Sequence, residues 1–194
     1  MPQRRLILAS SSPYRRQLLD RLGLEYACMS PAVDESPLAG EMPEDTARRL
    51  ALAKAQRIAT GCDGALVIGS DQVAVLDSKT MGKPGTPAAA AAQLRAMSGR
   101  ITVFHTAVSL LDAASGQHQT RVVATRVRLR RLDDAEIRRY LDRDRPYDCA
   151  GSAKIESLGI ALAESVQSED PTALIGLPLI ALCDMLRRAG LPLP

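Results

Sequence analysis

Tryptophan is absent from this chain and phenylalanine occurs once, so aromatic residues make up only 3% of its 194 residues. A core of stacked rings is thereby excluded, and Leu, Ile, Val and Ala must fill the interior. Cysteine is also sparse: Cys28, Cys62, Cys149 and Cys183 are widely spaced, with no C-x-x-C pair and no histidine at zinc-ligand spacing. That pattern argues against a disulfide framework or a zinc module and predicts reduced, packed thiols, including Cys149. Long hydrophobic runs are missing as well; the apolar stretch Leu6 to Ala9 is too short for a signal-peptide core or a membrane span. The expectation is a soluble cytoplasmic protein without a membrane partner. Charge of one sign does not dominate, since the formal net charge is +3. The arginines between Arg121 and Arg131 alternate with apolar residues, the signature of a strand with one wet face. No aromatic platform accompanies them, so nucleic acid is not an expected partner. Lysine is rare too, at four positions (Lys54, Lys79, Lys83 and Lys154) among 25 basic residues. A compact ammonium and a planar guanidinium are not interchangeable at a phosphate, which draws attention to the lysines that remain.

Hydrophobic residues make up 46% of the chain, enough at this length for one domain spanning residues 1–194. Arg4 to Ser10 reads as a first strand. Ser12 as N-cap and Pro13 at the first helical position then open a helix to about Leu22. Glu25 to Met29 reads as a short strand, and Pro43 to Ala59 as a helix. Ala65 to Ser70 is a continuous apolar run suited to a buried central strand, with Asp71 and Gln72 delivered at its end. A turn is expected near Asp77 and Ser78, a loop over MGKPGTP and an Ala-rich helix from Pro87 to Met97. Two β-rich stretches, Arg100 to Leu111 and Gln117 to Leu129, join at a hairpin over Ala113 to Gly116. Asp133 to Leu141 reads as a capped helix, Pro146 to Gly159 as irregular, and Pro178 to Ala189 as a final helix. Hairpins mixed with crossover helices predict an α/β fold with a mixed twisted sheet and flanking helices.

Six polar clusters interrupt or end these elements, which is where function usually sits. In SSSPYRR a hydroxyl-rich turn leads into a helix whose first turn carries Arg15 and Arg16. Free amides, the helix dipole and guanidinium forks together suit phosphate. Asp71, beside Gln72, needs a partner at the end of an apolar strand; a metal or a lysine would satisfy it, and Glu35 in the DES loop could add a second oxygen ligand. Taken singly, Glu35 also reads as a solvated loop acid, Asp71 as a turn former and Lys54 as a surface residue. Splitting a phosphoanhydride requires neutralising about four negative charges and positioning a water in line. Arg15, Arg16, Lys54, Lys83 in the GKPG loop and one divalent cation would supply that charge.

Together these segments resemble the Maf-type (septum-formation-inhibitor) nucleotide pyrophosphatases, from LASSSPYRRQLL through VDESP, ALAKA, IGSDQV, GKPG, MSGR and CAGSAKIES to GLPLIAL. The resemblance implies two lobes around a deep cleft, similar to inosine-triphosphate pyrophosphatases, dependence on Mg²⁺ or Mn²⁺, and a homodimer. It implies that Ser10, Arg15 and Arg16 form a phosphate loop, that Lys54 and Lys83 are cleft lysines, that Asp71 activates the attacking water, and that Glu35 lies close to the metal. Within the family, the pyrimidine-nucleotide (dTTP/UTP) branch usually has Arg, Thr and Gln where this chain has Tyr14, Gln72 and Glu156, so the chain resembles the 7-methyl-GTP branch. Members of that branch carry Trp where Tyr14 stands. The implied reaction yields the monophosphate and pyrophosphate, removing modified nucleotides. A carboxylate at Glu156 would pair with the donors of a cationic base, and Tyr14 would stack on its ring. The alternatives from the residues themselves are a Glu156–Lys154 salt bridge and simple packing of Tyr14. Competing readings of the whole chain are a dTTP/UTP pyrophosphatase and a non-catalytic nucleotide-binding regulator of cell division.

Overall fold

The computed structural model describes residues 4–194. Its elements, in chain order, are β1 (Leu6–Ala9), α1 (Pro13–Asp20), β2 (Ala27–Met29), α2 (Pro43–Ala59), β3 (Leu66–Leu76), β4 (Lys79–Met81), α3 (Pro87–Met97), β5 (Ile101–Asp112), β6 (His118–Leu129), α4 (Asp134–Asp144), β7 (Ala163–Ser168) and α5 (Leu179–Arg188), with short 3₁₀ turns at Ala150–Ser152, Leu158–Leu162 and Ala173–Ile175. The strands form one sheet in the order β2-β1-β3-β5-β6-β7, with β4 paired to β3. β1 runs parallel to β2 and β3, whereas β3–β4 and β6–β7 are antiparallel, so the expected mixed α/β sheet is present. Among the described residues the chain divides into two compact units, the first made of residues 4–71, 106–123 and 170–194, the second of 72–105 and 124–169.

In the first unit, β1 and the start of β3 are apolar on both faces. Leu6, Leu8, Leu66 and Ile68 share a core with Leu18 and Leu19 of α1 and with Leu182, Met185 and Leu186 of α5. Ile7, Ala9 and Val67, on the other face, pack with Ala55 and Ile58 of α2. Burial on both faces explains why these strands read as unbroken apolar runs. At Gly69, a side-chain carbon would stand 2.0 Å from the Ala51 carbonyl oxygen and 2.8 Å from the Ala55 nitrogen. Only glycine lets α2 lie this close to β3.

In the second unit, α3 contributes Ala90, Leu94 and Met97 to the interior, and α4 contributes Ile137, Tyr140 and Leu141. α4 opens with a capping box between Asp133 and Glu136. Gly151, at φ 74°, sits where a side-chain carbon would come within 3.3 Å of the Phe104 ring.

Several expected boundaries change. β3 does not end at Ser70; Asp71 and Gln72 lie within it, because the strand continues to Leu76 and pairs Ala74 to Leu76 with β4. The turn at Asp77 and Ser78 is present, with φ of 45° and 66° at two non-glycine residues, as a tight hairpin of the primed kind requires. β4 and β7 were not expected. β7 (AESVQS) is mostly exposed and carries little apolar signal, so its place comes from backbone pairing with β6. The helix begun at Asp134 runs to Asp144, past the expected end at Leu141.

Candidate active site

The site in the first unit starts at the end of β1. Ser10 is buried, and its hydroxyl accepts a hydrogen bond from the Ser12 amide at 3.1 Å. Ser12 in turn caps α1, accepting from the Arg15 amide at 3.4 Å, and Pro13 occupies the first helical position as its ring favours. This places Tyr14 and Arg15, both half-buried, on the first turn of a helix whose amide end attracts anions. Arg16 is exposed on the same turn; its carbonyl accepts from the Tyr26 hydroxyl at 3.2 Å and its charge acts on that phenol.

Because Gly69 admits α2 against β3, Lys54 on the helix can reach the carboxylate two residues further along the strand. Its ammonium lies 2.6 Å from Asp71 Oδ1 and 2.6 Å from Glu35 Oε1. The Lys54 and Asp71 side chains are 7% and 10% exposed, so neither charge is accommodated by bulk water. Lys54 is therefore not the surface residue that it also reads as when taken singly. Glu35 comes from the DES loop with its side chain 59% exposed. That loop is fastened to α2: the Arg49 guanidinium donates to the Ser36 carbonyl at 3.0 Å and to both carboxylate oxygens of Glu41, at 2.6 and 2.8 Å. Paired in this way, the Glu41 carboxyl is held down to a pKa of about 2, with Arg49 as the main cause.

Burial raises the pKa of Asp71 above the ordinary aspartate value, and the nearby Lys54 and Arg15 charges only partly oppose it. Burial likewise lowers the pKa of Arg15, opposed by Asp71 and Glu35. Arg15, Glu35, Lys54 and Asp71 thus form one electrostatic group of two anions and two cations. The Arg15 Nε also donates to the Gly176 carbonyl at 2.9 Å.

The remaining sequence-nominated residues, Gln72, Lys83 and Glu156, lie in the second unit. Gln72 is half-buried on β3. Lys83 is exposed in the loop between β4 and α3. Two contacts shape that loop: Gln93 of α3 donates to the Gly82 carbonyl at 2.9 Å, and the Gly85 amide donates to the Tyr147 carbonyl at 3.0 Å. The Gln93 side chain also accepts from the Ser152 hydroxyl at 2.6 Å, tying the GKPG loop to the CAGS loop. Glu156 follows on an exposed turn. Desolvation raises its pKa, the Lys154 ammonium opposes the rise, and Asp144 and Asp148 add to it. Lys154 itself pairs with Asp148 at 3.0 Å, and its amide donates to the Tyr140 hydroxyl oxygen at 2.9 Å. Cys149 is a free, half-buried thiol whose pKa burial pushes up to about 12, a packed and unreactive cysteine.

Sequence reasoning missed Ser70, Gln93, Asp170, Thr172 and Gly176, all of which brace nominated residues or their loops. The signals were present in D-P-T followed by G-L-P, a turn start and a turn end around a short apolar run, and in a lone Gln within an alanine helix.

As for what could hold a cation, Glu35 and Asp71 bring two carboxylates together at the Lys54 ammonium, each contacting it through one oxygen. This is a hard, all-oxygen donor pair. No group of three or more His, Cys, Asp or Glu side chains converges among the described residues. Magnesium is commonly bound by one or two carboxylates plus substrate phosphates rather than by a protein cage, and the pair fits that pattern.

Known proteins resemble this chain over nearly its full length. It is 59% identical to the 7-methyl-GTP pyrophosphatase of Cupriavidus pinatubonensis, covering 98% of this chain and 96% of that one. Identity is 58% to the protein of the same name from Ralstonia nicotianae, covering 97% of each. It is 56% to that of Aromatoleum aromaticum, covering 98% of each. Likeness to a solved nucleoside-triphosphatase / dITP/XTP pyrophosphatase from Mycobacterium abscessus is weak, with a TM-score of 0.42 and 20% identity over 66% of this chain and 75% of that one. Residues 5–189 match the family described as Maf-like protein. With that match and these relatives, the chain belongs to the Maf-like protein family.

Proposed function

We propose that this protein is a nucleoside-triphosphate pyrophosphatase that hydrolyses the α–β phosphoanhydride of 7-methyl-GTP, giving 7-methyl-GMP and pyrophosphate. The observation that carries the reading is the buried Asp71 carboxylate, raised in pKa yet held 2.6 Å from the Lys54 ammonium and within the field of Arg15. A base must be ionised at working pH and still hold a proton when one arrives; burial supplies the second property and Lys54 protects the first. Asp71 takes the proton of the attacking water. Ser10 before α1 and Arg15 and Arg16 in its first turn receive the phosphates, and Lys83 adds a positive charge from its loop.

The charges of Arg15, Lys54, Glu35 and Asp71 cancel, so about four negative charges of a bound triphosphate call for further cations. A divalent cation, Mg²⁺ or Mn²⁺, held by Glu35 and Asp71 together with substrate phosphates, supplies that charge when bound.

For the base, Glu156 lies among Asp144 and Asp148 with Lys154 as the nearby opposing charge. Such a surplus of carboxylates favours a cationic ring over a neutral one, and the carboxylate can accept from both donors of the 7-methylguanine edge. Tyr14 stacks on the ring, and Gln72 completes the substrate contacts. The names borne by relatives at 56–59% identity support the same substrate. The whole chain is read as a single catalytic domain of a cytoplasmic homodimer that removes modified nucleotides.

Pyrophosphate release from a panel of 7-methyl-GTP, GTP, dTTP and UTP with Mg²⁺ or Mn²⁺, followed by phosphorus NMR, tests this. Preferred turnover of 7-methyl-GTP with pyrophosphate as the first product is expected. Initial orthophosphate would refute the bond assignment, equal turnover of dTTP would refute the substrate, and no turnover at all would favour a nucleotide-binding regulator.

A further inference from the structure

We infer that Ser70 and the Gly176 carbonyl are positioning groups for Arg15, aiming its guanidinium at the phosphates. The inference rests on the reading of Arg15 as a phosphate ligand. Arg15 uses Nε, its inner donor, on the Gly176 carbonyl. That bond fixes rotation about the last part of the side chain and leaves the two terminal nitrogens for a bidentate contact with phosphate oxygens. The same carbonyl lies 2.8 Å from the Ser70 hydroxyl, which is fully buried and also 2.7 Å from the Ala107 carbonyl. A hydroxyl carries one proton, so Ser70 can serve only one of these carbonyls at a time. With that proton directed to Gly176, it links β3, one residue before Asp71, to the loop that orients Arg15.

The carbonyl is presented by a braced loop. Asp170, almost fully buried, accepts from the Thr172 amide at 3.0 Å and from its hydroxyl at 2.6 Å, while its other oxygen accepts from the Ile180 amide of α5 at 2.7 Å. Thr172 Oγ1 accepts in turn from the Leu179 amide at 2.8 Å. Gly176 ends the intervening 3₁₀ turn at φ 122°, a conformation that side chains disfavour, and a side-chain carbon there would stand 3.5 Å from Arg15 Nε. Rigid backing on a functional side chain is what separates a site that is present from one that is aimed.

The test is a double-mutant cycle on the full chain, read by calorimetric binding of inorganic tripolyphosphate and by kcat/KM for 7-methyl-GTP. Ser70→Ala is expected to weaken tripolyphosphate binding about five- to tenfold, the loss of one buried hydrogen bond. In an Arg15→Ala background it should have no further effect, because its partner is gone. Ser70→Cys, which fills the site with a slightly larger and weaker donor, should fall between and guards against a cavity-driven folding defect in Ser70→Ala. An equal loss in both backgrounds, no loss in either, or no tripolyphosphate binding by the unsubstituted protein would overturn the inference. The pyrophosphatase reading fails separately, on absent nucleotide turnover by the unsubstituted protein.

Discussion

In the first unit most chemistry-bearing side chains are mounted on regular elements, Asp71 on β3, Lys54 on α2 and Arg15 on α1, with Ser10 in the turn between β1 and α1 and Glu35 reaching in from a loop. In the second unit Lys83 and Glu156 sit on exposed turns shaped by a handful of hydrogen bonds. The first arrangement mounts ionised groups on packed elements; the second lets a loop change its residues without unseating a core. Bond breaking tolerates little misplacement, whereas choice among substrates gains from variable loops. Substitution of Glu156 should therefore redirect the proposed enzyme, while substitution of Asp71, Lys54 or Arg15 should disable it.

The largest effect is expected of Asp71→Asn. It keeps the shape but removes the base, and a fall in turnover of about 10²–10⁴-fold is expected for every nucleotide, with the fold retained by circular dichroism and the melting temperature lowered, because buried Lys54 loses one of its two carboxylate partners. More than about a tenth of the original rate would remove Asp71 from the chemistry. Next in size is Glu156→Gln, which should erase the preference for 7-methyl-GTP over GTP, about a tenfold change, since an amide offers one acceptor and no balancing charge. If instead all substrates slow in proportion, Glu156 supports the fold rather than reading the base.

A third expectation concerns pH. Asp71 must be ionised to act, and its pKa is raised, so the acid limb of kcat/KM should lie above the range of a free aspartate. Lys54→Met removes an opposing positive charge, should raise that pKa further and should move the limb upward by about one pH unit. A limb that moves down or stays put would sever the link between Lys54 and Asp71. The smallest effect is expected from Gln93→Leu, which frees both the GKPG and CAGS loops. A rise of about two- to fivefold in KM with little change in kcat is expected of lost uniform binding. Loss of kcat alone would contradict a role in loop placement.

Much of this was legible because period and chemistry agree. The S-S-P start of α1, the period of α2 and the apolar run of β3 each point one way, and the structure follows them. The end of β3 was misplaced because charge at Asp71 looked like a boundary, when a buried lysine from another element had already satisfied it. β7 escaped notice because a polar strand held by its neighbour's backbone carries no alternation to read. Lys54 as the partner of Asp71 is 17 residues away in sequence. Only the approach of helix to strand brings the two together. The bracing by Asp170, Thr172 and Gly176 was hidden for a related reason: a carbonyl has no letter in the sequence.

Gly69 carries a consequence for motion and heat. Where helix and strand touch backbone to backbone, with no side chain to rotate between them, local breathing cannot open a gap without parting the core on both sides. The amides of residues 51–55 and of Gly69 should then exchange with deuterium only through global unfolding, on the slowest timescale the protein shows. On heating, the spacing of ammonium and carboxylate should persist until the cooperative melt. Activity would then vanish in the same transition as the fold, without an earlier inactive but folded stage.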